Sequence, residues 1–187
     1  WVHGCNDEGI SVSINYAGNN TADNDGIAVG WKVREILNAS KTMSDVNHTI
    51  TKTENDIKNW ILCAVSSKEA QGSVFDLHNS IQAETRVKNG EPLVVFNQPF
   101  EGICAEGKDY AAENTDFLRS VSESNTKRRK SAESFLSQHY ADTPADVWAL
   151  LRNHDFPYRV WSTGLSTICN DLSLYSIVFD TARKSFS

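Results

Sequence analysis

Ile10, Val12, Ile14 and Tyr16 alternate strictly with Ser11, Ser13 and Asn15. On a helix these apolar residues would scatter around the axis. On a strand, where successive side chains point to opposite faces, they make one apolar side. The segment therefore predicts a half-buried strand, and a chain containing one must supply sheet partners and a layer to cover the apolar face. The means are present: 187 residues with 40% hydrophobic content can bury the core of one domain.

Other segments supply partners for that strand. Trp60–Val65 and Ser73–Leu77 read as strands with Ser66–Gly72 as their hairpin loop. Asn89-Gly90 is a turn signal, and Leu93–Phe96 is a short apolar strand that Pro99 stops. Leu174–Phe179 closes the set with β-branched and aromatic residues.

Between these the spacing turns helical. A helix over Ile27, Trp31 and Val33–Leu37 is expected to start from Asp25 as N-cap. Thr42-x-x-Asp45 is a capping box that opens a second helix. Phe117, Leu118 and Val121 make one helical stripe, and Ala132, Phe135, Leu136 and His139 another. Thr143-Pro144-x-Asp146 is a helix start with Pro at the first helical position, followed by Val147, Leu150, Leu151 and His154 on one face. Strands and helices do not alternate one by one, which disfavours a doubly wound parallel sheet. The order predicts an α+β layered domain with antiparallel pairing.

Composition narrows the function. A net charge of −6 argues against a general nucleic-acid binder, and no apolar run reaches the ~18 residues of a membrane span. Cys5, Cys63, Cys104 and Cys169 form no Cys-x-x-Cys pair and the histidines no His-x-x-x-His pair, so no metal site is expected. Cys63 lies in an apolar run and reads as a buried thiol; disulfides stay open for the others. Sequons at Asn19, Asn38 and Asn47 favour a secreted or lumenal protein.

Several blocks, in order along the chain, carry a resemblance. Gly4-Cys5-Asn6-Asp7-Glu8-Gly9-Ile10, running into Ser11-Val12-Ser13-Ile14-Asn15, is similar to a "G-M-N-E-K-G-L-A-V-S-I-N" segment. Asn59-Trp60-Ile61-Leu62 resembles "N-x-[IL]-[IL]", and Leu93 to Phe100 resembles "L-x-V-T-N-x-x-F". Leu150-Leu151-Arg152-Asn153-His154, Ser166-Thr167-Ile168-Cys169 and Tyr175 to Asp180 resemble "L-L-R-D-H", "T-I-C" and "A-S-V-I-F-D". These are blocks of the N-terminal-nucleophile linear amide hydrolases, nearest to the acyl-coenzyme A:6-aminopenicillanic acid acyltransferase family and the choloylglycine hydrolases.

The resemblance implies a four-layer αββα sandwich of antiparallel sheets over residues 1–187. It implies hydrolysis or acyl transfer at a linear non-peptide amide, a small-molecule N-acyl substrate and no cofactor. An N-terminal Cys thiolate would attack, with its own α-amine as base. In the family the nucleophile strand and an "R-N-x-D" strand precede the first block, and a "G-x-P-C" element closes the chain; none of these is found here. The expectation is an internal fragment or one part of a split enzyme, incomplete at both ends. A second chain or upstream segment would carry the nucleophile, and the isolated chain would be inactive.

The resemblance also points to site residues. Asn97, of the "V-T-N" element, would donate to the oxyanion; the other reading is a turn Asn capping a strand end ahead of Pro99. Asn15 would line the substrate pocket, and Asn6 reads as a turn residue. The family's "S-x-x-R" substrate contact falls near Lys127-Arg128-Arg129-Lys130, read as lying near a helix start. Arg128 or Arg129 would fill that place, with Ser124 or Thr126 nearby; the other reading is a solvated patch. Cys5 is a nucleophile in one reading and part of a turn in the other. Two further function classes stay open: a catalytically silent member that binds a ligand or partner subunit, and an unrelated secreted binding domain.

Overall fold

A computed structural model describes residues 3–16, 28–52, 60–78, 81–87, 94–95, 116–139, 143–152, 179–180 and 185–186. The chain divides into two compact units. The first holds strands β1 (His3–Cys5), β2 (Ile10–Tyr16), β3 (Trp60–Ser66), β4 (Gln71–His78) and β5 (Ile81–Val87), helices α1 (Val29–Ala39) and α2 (Met43–Thr51), and strands β6 (Phe179–Asp180) and β7 (Ser185–Phe186). The second holds α3 (Asp116–Gln138) and α4 (Pro144–Leu151). The chain is an α+β protein.

Strands β1 to β5 form one antiparallel sheet in chain order. Val12 lies opposite Ala64 and Ile14 opposite Leu62, while Leu62 and Trp60 lie opposite Phe75 and Leu77. This register gathers Ile10, Val12, Ile14, Leu62, Ala64, Phe75 and Leu77 on one face, as the alternation in β2 requires. Val33 and Ile36 of α1 and Met43, Val46 and Ile50 of α2 complete that core. Their spacing is one helical face. Full burial of each such aliphatic side chain stabilises the fold by about 1.5–3 kcal/mol.

The capping box of α2 forms as its sequence predicts. Asp45 N donates to Thr42 Oγ1 at 3.1 Å, and Thr42 N donates to Asp45 Oδ2 at 3.0 Å. The Lys41 backbone N–H, foremost, and the Thr42 hydroxyl hold the Asp45 carboxyl below its ordinary value. A tertiary contact adds to this: Met43 N donates to Glu69 Oε2 at 2.7 Å. The box at Thr143 and Asp146 opens α4 in the same way.

Several expectations are corrected. Helix α1 starts at Val29 with Ala28, not Asp25, at its N-cap, and makes no side-chain cap. The hairpin turn between β3 and β4 is only Ser67 to Ala70, with Ala70 at φ 50°. Strand β5 is an addition to the expected set, although Ile81, Ala83, Thr85 and Val87 alternate with polar residues. Val94 and Val95 lie in no strand, and the rest of Leu93–Phe96 falls outside the described residues. Of Leu174–Phe179 only Phe179 is described, in β6. The two stripes around Val121 and Phe135 belong to one helix of 23 residues, α3. No residue of α4 is fully buried, and His154 lies outside the described residues. Among the described residues β6 and β7 make only a two-residue ladder, and no second layer of the expected sandwich is seen.

Candidate functional site

The Gly4 to Asn15 block folds as a hairpin whose turn is built around Asn6. Asn6 Oδ1 accepts from Ile10 N at 2.9 Å, and Asn6 Nδ2 donates to Leu37 O and Ser40 O, each at 2.9 Å. Backbone bonds close the turn, Asn6 N to Ile10 O at 2.9 Å and Gly9 N to Asn6 O at 3.1 Å. Gly9 has φ +82°, and a Cβ there would lie 2.3 Å from Ser67 Oγ. Gly9 O in turn accepts from Ser67 N at 3.0 Å, tying this turn to the next hairpin. Glu8 and Lys68 pair across the same two turns. The most recognisable block of the sequence is thus a structural joint between two turns and the end of α1.

The chemistry-bearing groups of the block lie on the sheet face away from the apolar core. Cys5 lies opposite Ser11, Ser13 opposite Cys63, and Asn15 opposite Ile61. Ile61 in turn lies opposite Asp76, and Cys63 opposite Val74. This second face is itself buried in part: Ser11 is 8%, Ile61 0%, Val74 1% and Asp76 7% exposed, while Cys5 and Val65, which flank Ser11 on the same face, are exposed. The Ser11 hydroxyl has no hydrogen-bond partner among the described residues.

Burial, partly offset by a hydrogen bond with the Ser13 side chain and aided by the nearby Asp76 charge, pushes the Cys63 thiol up to about 12. At neutral pH Cys63 is therefore a thiol and a poor nucleophile. Cys5 is exposed and is the last residue of β1, ahead of the turn at Asn6. Both are free cysteines. Strand β2 separates them, so their Cα atoms stand at least two strand spacings apart, about 9.5 Å. That exceeds the ~7 Å reach of a disulfide. Cys104 and Cys169 fall outside the described residues.

The expected site residues are placed as follows. Asn15 is half-buried in β2, four positions beyond the residue opposite Cys5, which is about 13 Å along the strand. Asn15 and Cys5 share a face without meeting. Arg128 and Arg129 belong to the middle of α3 in the second unit, not to a helix start. Both are half-buried. Burial lowers the Arg128 pKa, and Arg128 Nη2 donates to Asn125 Oδ1. Asn125, 1% exposed, therefore stands three residues before Arg128 where the resemblance suggested a serine. Asn97 lies outside the described residues.

The sequence alone singles out neither Ser13 and Asp76, on the Asn15 face of the first unit's sheet, nor Asn125, beside Arg128 in the second unit. The polar side of β2 is visible in the alternation, but its burial depends on what covers it, and Asp76 joins that face only through the β3–β4 register. Of the sequons, Asn38 is exposed in the last turn of α1 and Asn47 half-buried in α2, while Asn19 is outside the described residues. Among the described residues no group of three or more metal-ligating side chains converges, and no helix is long and apolar enough to cross a membrane. No protein-family model matches this sequence, and no curated protein is significantly similar to it.

Proposed function

We propose that this chain is the larger part of an N-terminal-nucleophile amide hydrolase or acyltransferase that acts on a linear, non-peptide N-acyl amide. The ordered blocks of sequence resemblance suggest the family. The observation that carries the reading is the second face of the β1–β5 sheet, where Ser11 and Asp76 are buried and Asn15 is half-buried. An αββα sandwich needs a sheet buried on both sides, helices on one and a second sheet on the other. A polar row within that second interface suits a substrate amide.

In this reading a thiolate attacks the amide carbonyl carbon, and the carbonyl electron pair moves onto oxygen. Asn97 donates to that oxyanion. Collapse breaks the C–N bond, the amine leaves with a proton from the nucleophile's own α-ammonium, and a thioester remains. Water or a second amine then takes the acyl group. Asn15 contacts the substrate. The nucleophile comes from a second chain or an upstream segment, because Cys63 is held protonated and Cys5 closes a strand and leads into a turn.

The test is mass spectrometry of the natural protein after brief exposure to activated N-acyl amides. An acyl adduct on an N-terminal cysteine supports the reading. A native protein that forms no adduct and releases no amine across bile-salt, penicillin and simple acyl-amine substrates overturns it. The second reading, a ligand-binding member without chemistry of its own, is favoured by the same state of Cys63 and Cys5. It would show ligand binding with no adduct.

A further inference from the structure

A cleft of 680 Å³ opens on the helix side of the sheet, between α2 and strands β4 and β5. Its volume is that of a small-molecule site. Ser44, His48 and Thr51 give one wall from a single stripe of α2. Ser73 and Arg86, opposite each other on β4 and β5, give the floor and the far wall, and Glu69 enters from the β3–β4 turn. None of Cys5, Asn15, Arg128 and Arg129 lines the cleft, so what it binds is independent of the amide-hydrolase reading.

We propose that this cleft binds a small zwitterion of amino-acid or dipeptide size, its carboxylate on the Arg86 guanidinium and its ammonium on the Glu69 carboxylate. The cleft carries both charges on separate elements. A guanidinium has five donors in a fork that matches a carboxylate, so Arg86 can serve a ligand beside its partners in the protein. Glu69 gives Oε2 to Met43 N at 2.7 Å, and a carboxylate has acceptor positions beyond that one. Ala70, also in the lining, is a non-glycine residue at φ 50°, a conformation that side chains disfavour. Such strain recurs at functional sites, and here it belongs to the turn that presents Glu69. The hydroxyl-bearing residues Ser44, Thr51 and Ser73 also line the cleft and suit a polar ligand body. A phosphate fits less well. The N-terminus of α2 is already closed by Thr42 and Glu69, and the Glu69 charge repels a dianion.

Isothermal titration of the 187-residue protein with glutamine and with glycylglycine tests this. Each is compared with its amine-only analogue, its acid-only analogue and inorganic phosphate. The expected result is saturable binding of at least one zwitterion at millimolar Kd or tighter, with the single-charge analogues at least about tenfold weaker. Arg86→Gln and Glu69→Gln should each weaken that zwitterion by about tenfold or more. Both native side chains are exposed, and the amide introduced by Glu69→Gln keeps an oxygen for Met43 N, so a melting curve should show the variants folded. The proposal is overturned by no saturable heat up to about 10 mM. It is equally overturned by phosphate or an acid-only analogue binding as well as the zwitterion, or by folded variants with unchanged Kd. The analogue comparison decides the matter even where a variant fails to fold.

Discussion

Asn6 Nδ2 lies 2.9 Å from the carbonyl oxygen of Leu37, so a side chain in the β1–β2 turn closes the last turn of α1. The same nitrogen reaches Ser40 O, and the Asn6 side-chain carbonyl takes Ile10 N. One residue thus supplies three bonds to groups that a helix end and a turn would otherwise leave unsatisfied. At about 1 kcal/mol each, Asn6→Ala should destabilise the protein by about 3 kcal/mol. Urea unfolding would show a lower midpoint at unchanged slope. Asn6→Asp should recover little at neutral pH, because a carboxylate would face two carbonyl oxygens. A loss below about 0.5 kcal/mol would mean that water replaces the side chain at no net cost.

Gly9 meets two separate constraints that a double variant can divide. Its φ of +82° disfavours any side chain, and a Cβ would approach Ser67 Oγ to 2.3 Å but Ser67 Cβ only to 3.6 Å. Gly9→Ala should therefore carry a conformational cost of about 1–2 kcal/mol plus a clash. Adding Ser67→Ala removes the hydroxyl and should return the clash part, leaving the conformational part. Equal destabilisation of the single and double variants would show that Ser67 simply rotates away.

Cys63 offers a pH-dependent readout. Its thiol rises from an ordinary value of 9.0 to about 12 in the folded protein, chiefly through burial. The unfolded chain therefore releases this proton first, and the folded chain binds more protons between these values. Stability from this group is fully present below pH 9.0 and lost as the pH rises toward about 12. Lysines and tyrosines titrate in the same window, so the comparison is with Cys63→Ala. The difference in unfolding free energy between the two proteins should change with pH above 9.0 and stay flat below it. Iodoacetamide should label exposed Cys5 readily at about pH 8 and Cys63 only on unfolding. Fast labelling of Cys63 in the native state would contradict the burial argument.

What can be read from the sequence divides along physical lines. Strand β2, the capping boxes at Thr42 and Thr143 and the β3–β4 hairpin are legible because each is decided within a few residues, by alternation or by a cap three positions on. The start of helix α1 is not, because Asp25 offers a cap that the helix does not use. Strand β5 is easily overlooked although its period of two is plain, since Gln82, Glu84 and Arg86 lower its apolar character. The burial of the Ser11 and Asp76 face depends on its cover and on register, neither of which one strand can state. The cleft at Arg86 is illegible for the same reason: its charged walls come from segments 17 residues apart, Glu69 and Arg86, brought together by pairing.

Lys32 tests how a buried charge is held. It is fully buried in α1, pairs with Glu35 at 2.9 Å and reaches Thr49 O at 3.5 Å. Glu35 is 48% exposed, which softens their attraction. Lys32→Met keeps the aliphatic volume and removes the desolvated ammonium, so it should be neutral or stabilising. Lys32→Ala leaves a cavity and should destabilise by about 2–4 kcal/mol. Glu35→Gln should cost more than the ~0.5 kcal/mol usual for an exposed carboxylate, because the ammonium stays behind. A Met variant as unstable as the Ala variant would show that the charge itself holds α1 to α2.

Asn97 carries the prediction that separates chemistry from architecture in the proposed amide hydrolase. If its amide donates to the oxyanion, the bond strengthens as charge develops on the substrate oxygen. Asn97→Ala should then lower kcat by about 10²–10³ while KM changes much less, because the lost interaction belongs to the transition state. An Asn that only serves the backbone ahead of Pro99 acts on the fold instead. Its loss would lower stability by about 1 kcal/mol and leave kcat of the folded fraction nearly intact. Thermal midpoint and kcat measured on one preparation distinguish the two. Normal turnover with a lowered midpoint would remove Asn97 from the chemistry and leave the oxyanion to another donor.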